Sequence, residues 1–79
     1  ILLVQGMNDT LVTPGRAACI VDALVSDGVS PQLCADNEAN HMDVVGRNMS
    51  FVLQWLEALL RGDELPACAN EELPECSEF

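Results

Sequence analysis

Apolar and polar positions divide this chain into two strand-like runs, two helix-like stripes and an unpatterned tail. The first run, Ile1-Leu2-Leu3-Val4-Gln5, is rich in branched aliphatics and gives way to Gly6-Met7-Asn8-Asp9. A continuous apolar run bounded by turn residues is the pattern of a strand buried on both faces, as in parallel sheets. It ends in a loop that carries one acid, Asp9.

Thr13-Pro14 opens the next element. Threonine caps free amide groups, and proline at the first helical position loses nothing, because its amide would have no partner there. Ala17, Ile20, Val21, Leu24 and Val25 recur on one helical face, with Arg16, Asp22 and Ser26 opposite. Gly28 then supplies a stop. The pattern predicts an amphipathic helix over 14–27.

Val29 to Ala35 is short and partly alternating, and predicts a second strand over about 32–35. Pro31 suits a position at the sheet edge. The polar, turn-prone residues 36–41 follow and end at His41, the chain's only histidine.

From Asp43 the stripe is the clearest in the chain: Val45, Met49, Val52, Leu56 and Leu59, widened by Val44, Phe51, Trp55 and Leu60. Arg47, Ser50, Gln54, Glu57 and Arg61 trace the other side. This predicts a surface helix of about 18 residues with a wide apolar face, on which Met49 and Trp55 are core residues. Asp43 stands as cap or favourable first-turn charge, and Gly62 ends the helix. Beyond it, residues 63–79 are acidic, broken by Pro66 and Pro74, and read as an extended tail.

The order is therefore strand, Asp loop, helix, strand, His loop, helix: an α/β unit over residues 1–62 and a tail over 63–79. Parallel strands joined by a crossover helix bring Asp9 and His41 to the same sheet edge. There an aspartate orients one imidazole nitrogen and leaves the other to take a proton from a nucleophile. The same two residues also fit a turn aspartate and a helix-start histidine.

Composition changes this picture at three points. With 49% hydrophobic residues in 79, the chain carries more apolar face than it can cover, so the second helix is expected to pack on a sheet built mostly from residues not present here. Ile1, opening directly in an apolar strand, carries the same expectation of a longer parent. A net charge of −10, with Arg16, Arg47 and Arg61 the only Lys or Arg, argues against nucleic acid and anionic membrane surfaces as partners. No apolar stretch nears the ~20 residues of a transmembrane segment. Asp63, Glu64, Glu71, Glu72, Glu75 and Glu78 read as a solvated tail.

The four cysteines, Cys19, Cys34, Cys68 and Cys76, suggest disulfides and a secreted or periplasmic location. Their pairing is open. Cys68 and Cys76 are close enough to close a short loop, Cys34 is within reach of the tail, and Cys19 is either a buried thiol or paired with a neighbour. One histidine and scattered cysteines fit zinc poorly, and Asp36, Glu38, Asn40 and Asp43 lack the glycine and spacing of a calcium loop. Asn8-Asp9-Thr10 and Asn48-Met49-Ser50 are formal glycosylation sequons, the first of which would mask Asp9.

Gly6-Met7-Asn8-Asp9, then Leu11-Val12 and Pro14, then His41 after Ala39-Asn40, then Trp55-Leu56, Gly62, Pro66 and Cys68 form an ordered set. This set resembles the C-terminal end of an α/β-hydrolase, in particular the secretory lipase (Candida lipase A-like) family, and spans residues 1–68. Two departures stand out. Residues 37–40 lack the glycine that family members carry before the histidine, and no serine here lies in the G-x-S-x-G nucleophile elbow.

The resemblance implies the strand-helix-strand-helix portion of an α/β-hydrolase fold with a parallel sheet, plus a disulfide-pinned tail. It also implies Asp9 and His41 as catalytic acid and base toward an ester substrate, with no cofactor or metal. The serine would come from upstream sequence or a companion chain carrying the remainder of the hydrolase domain, and the chain alone would be inactive. The alternative is a small, secreted, acidic, disulfide-stapled interaction module with no catalysis.

Overall fold

The computed structural model describes residues 1–77. Glu78, counted above among the acids of the tail, lies outside the described residues. The elements follow the order β1 (Leu2–Gly6), α1 (Pro14–Ser26), β2 (Gln32–Asp36) and α2 (Val44–Arg61). The two strands pair in parallel, in a register that runs from Leu2 opposite Gln32 to Gly6 opposite Asp36. Both strands therefore end at the same level, and the loops that leave them start side by side.

The element boundaries have local causes. The Thr13 hydroxyl accepts from Arg16 N at 3.3 Å, with Pro14 in the first turn. Gly28 and Gly62 both adopt positive φ, 83° and 72°, the left-handed geometry that closes a helix and that side chains with a Cβ resist. Asp43 does not cap α2 as expected: its side chain makes no cap bond to the helix. It accepts instead from Asn40 N at 2.7 Å.

Side chains alternate across the strands. Leu2 and Val4 face α2, and Leu3 and Gln5 point to the opposite side. The buried apolar set among the described residues is small: Ala17, Ala18, Cys34, Ala35, Ala39 and Trp55. Trp55 is core as predicted, and its indole Nε1 donates to Gln32 Oε1 at 2.8 Å, tying α2 to the start of β2. Met49 is not core; it is 41% exposed. It lines an open apolar groove of about 600 Å³ between β1 and α2, together with Ile1, Val45, Val52, Leu56 and Leu59. On α1, Ala17 and Ala18 are buried, whereas Ile20 and Val25 stay largely exposed.

The tail is extended and held by two disulfides, Cys34–Cys68 and Cys19–Cys76. The reach from Cys34 to the tail is as expected. A Cys68–Cys76 loop is not formed, because the tail first runs beside β2 and then crosses to α1. Ala35 N, in β2, donates to Asn70 O at 2.8 Å, and Ser77 N donates to Gly15 O at 3.1 Å at the start of α1. The disulfides fit an extracellular or periplasmic location. Among the described residues, no helix is long and apolar enough to cross a membrane.

Candidate active site

The paired strand ends bring the two predicted residues together. His41 Nδ1 lies 2.9 Å from Asp9 Oδ2. Each partner is held independently, and by different means.

Asp9 sits in a tight turn after β1, where Asp9 N donates to Gly6 O at 3.2 Å. Its other oxygen, Oδ1, accepts from Leu11 N at 2.8 Å and Val12 N at 2.9 Å. A carboxylate folded onto backbone amides two and three residues ahead is an Asx turn, which fixes the side-chain torsions. Gln5, buried at the end of β1, closes the loop from below. Its Nε2 donates to Val12 O at 2.8 Å and to Gly6 O at 2.9 Å.

His41 occupies the first helical turn ahead of α2. Asn40 Oδ1 accepts from Met42 N at 2.8 Å and Asp43 N at 3.0 Å, and Asp43 Oδ1 accepts from Asn40 N. This reciprocal pair is a capping box with Asn40 as cap and Asp43 three residues on. It takes the place of the direct Asp43 cap. His41 is the residue immediately after the cap, so its backbone is set by both members.

The two loops are also bound to each other. Met7 N donates to Asp36 O and Asn8 N to Ala39 O, each at 2.9 Å. Asn8 Nδ2 donates to Asn37 O at 3.2 Å. The approach is so close at Gly6 that an added Cβ would stand 2.7 Å from Ala39 O. Glycine is required there for space.

Electrostatics assign the protons. Asp9 is only 7% exposed. Burial pushes its carboxyl up, but hydrogen bonds from Val12, His41 and Leu11 outweigh that and hold it below the ordinary range. An ionised carboxylate can only accept, so Nδ1 carries the proton in the shared bond. In the neutral ring, Nε2 then keeps its lone pair, and the His41 side chain is 45% exposed. A ring held at Nδ1 with Nε2 toward solvent has the geometry that an oriented base requires.

Ser26 ends α1 and Ser30 lies in the connection into β2, ahead of the strand start rather than at its dyad end. Among the described residues, no cluster of three His, Cys, Asp or Glu side chains is arranged to hold a metal ion. Asp36 and Glu38 instead face Arg47. Asn48, in the second sequon, donates to Asp36 Oδ2 at 3.0 Å and Val44 O at 2.8 Å. Sequence reasoning missed Gln5 and Asn40. The available signals were a polar residue closing an apolar strand and the N-x-x-D spacing before a helical stripe.

Comparison with protein families, curated proteins and solved structures finds no match to this chain.

Proposed function

We propose that this chain is the acid-and-histidine part of a serine carboxyl-ester hydrolase, lipase- or esterase-like and secreted or periplasmic, whose serine comes from upstream sequence or a companion chain. The observation that supports this reading is the 2.9 Å contact between Asp9 Oδ2 and His41 Nδ1 at the carboxyl ends of two parallel strands. Ligands and catalytic groups gather outside that end of α/β sheets.

In the reaction, His41 Nε2 takes the serine hydroxyl proton as the oxygen attacks the ester carbonyl carbon. The tetrahedral intermediate collapses, the alcohol leaves, and His41 returns the proton to it. Water then attacks the acyl-serine through the same base, releasing the carboxylic acid and restoring the serine. Asp9 holds the ring and stabilises the imidazolium formed in each half. The 79 residues alone turn over no ester, since they bring neither the nucleophile elbow nor its oxyanion donors.

The test is to restore the upstream or companion sequence and assay hydrolysis of p-nitrophenyl esters with wild type and His41→Ala. A restored protein lacking G-x-S-x-G on a strand-to-helix turn overturns the proposal, as does activity that His41→Ala leaves intact.

The open groove between β1 and α2 favours a second reading, a disulfide-stapled acidic module that binds a partner through its apolar helix face. Circular dichroism of the isolated chain separates the two. A cooperative melt supports the module, and an unfolded or aggregating chain supports the fragment.

A further inference from the structure

The acids Asp63, Glu64, Glu71, Glu72 and Glu75 are exposed, as expected of a solvated tail, while the tail's first half is stitched to the strand that leads into the histidine loop. Cys68 is bonded to Cys34, Gln32 Nε2 donates to Pro66 O, and Ala35 N donates to Asn70 O. At Asn70 the stitching turns toward the site. Asn70 Oδ1 accepts from Glu72 N at 3.1 Å, which leaves Nδ2 to donate to Asn37 Oδ1 at 3.1 Å. Asn37 lies in the loop that carries His41, and its backbone oxygen accepts from Asn8 Nδ2. Asn8 directly precedes Asp9. Three asparagines therefore join the tail, the histidine loop and the acid loop in one chain of contacts.

We infer that the tail around Asn70 is a positioning strap for the dyad, with Asn70 the positioning residue and Asn37 the point where both loops meet. The inference rests on the reading of Asp9 and His41 as a catalytic pair. Asn70 touches neither of them; it acts through Asn37. The exposed tip of the loop, Asn37 and Glu38, is also held by Asn8 at Asn37 O, by the Asp36 carboxylate at Glu38 N and by Arg47 at the Glu38 carboxylate. The strap supplies the anchor from the tail, so losing it loosens the two loops together.

The experiment is imidazole NMR on the disulfide-intact protein with its upstream or companion sequence restored, reading the exchange of the His41 Nδ1 proton with water. In wild type this proton is protected by Asp9. Asn70→Ala is expected to speed its exchange about tenfold, by raising the population of opened loop. Asn37→Ala removes the same bond from the other side and serves if Asn70→Ala does not fold; it is expected to act alike.

The control is the double variant C19A/C76A, which frees only the far end of the tail. In the restored protein, whose fold the remainder of the domain also holds, it lowers the melting temperature but leaves the exchange rate within about twofold of wild type, a separation that general destabilisation does not produce. Exchange unchanged in Asn70→Ala or Asn37→Ala overturns the strap and leaves the dyad standing. So does equal acceleration in C19A/C76A. A restored wild-type protein with no protected Nδ1 proton overturns the dyad reading itself.

Discussion

Arg47 grips the Asp36 carboxylate with two nitrogens, Nε to Oδ2 at 2.9 Å and Nη2 to Oδ1 at 3.2 Å. Asp36 ends β2 and Arg47 lies in the first turn of α2, so the clamp closes the base of the loop that presents His41. The two-pronged geometry makes arginine specific, because lysine offers a single charged nitrogen. Arg47→Lys is expected to lower stability by about 0.5–1 kcal/mol and Arg47→Ala by about 1–2, since Asp36 is mostly buried while Arg47 stays near solvent. Urea unfolding checks this through a lower midpoint at constant slope.

The same clamp sets an acid limit. Arg47 first, then the Glu38 amide and Asn48, outweigh the effect of burial and hold the Asp36 carboxyl at about 2. A folded value below the unfolded one means that the stabilisation is fully present above about pH 4 and fades as pH falls toward 2. Asp9, also lowered, adds in the same direction. Asp36→Asn is expected to flatten the fall in melting temperature between about pH 4 and 2, relative to wild type. An unchanged slope would exclude Asp36 as a source.

At Gly6 the limit is steric. A methyl group there meets the Ala39 carbonyl oxygen at 2.7 Å and the Asn40 oxygen at 3.1 Å, and both belong to backbone. Neither can swing away as a side chain would. Gly6→Ala is expected to cost about 2 kcal/mol or more and to push the histidine loop outward. Chemical denaturation measures the first effect, and the second appears as faster exchange of the His41 Nδ1 proton.

The catalytic reading makes a sharper demand on Asp9. Asparagine in its place keeps an oxygen for the Leu11 and Val12 amides but turns an NH₂ toward His41 Nδ1. The ring must then accept at Nδ1, and Nε2 carries the proton and loses its role as base. In the restored hydrolase, Asp9→Asn is expected to lower kcat by about 10⁴-fold with KM little changed. Single-turnover ester cleavage checks this, and a loss under tenfold would remove Asp9 from the reaction.

Much of this architecture was legible in the residues. Periodicity and the punctuation at Pro14, Gly28 and Gly62 located both helices, and the crossover put Asp9 and His41 at the same sheet edge, where the structure joins them. The details that stayed hidden share one cause, because polar side chains found partners far away in sequence. Gln5 reaches Val12, Gln32 reaches Trp55, and Asn70 reaches Asn37. Asn40 displaced Asp43 as cap because the helical turn begins earlier than the apolar stripe. Met49 satisfied the helical pattern but lacks a cover within the described residues. The cysteine pairing depended on the path of the tail, which no periodicity encodes.

That path gives the last prediction. Cys34–Cys68 closes 34 residues and Cys19–Cys76 closes 57. By loop-closure entropy each restrains the unfolded chain by about 4 kcal/mol, with little difference between them because the dependence on length is logarithmic. The apolar core holding the native state is six residues, four of them alanine. A core of that size leaves a stability comparable to a single cross-link. Replacing either cysteine pair by alanine is therefore expected to bring the isolated chain close to its unfolding midpoint at 25 °C, and replacing both to unfold it. Far-UV circular dichroism with urea titration checks the order. A doubly substituted chain that still melts cooperatively would mean that the α/β unit, rather than its pinned tail, carries the stability.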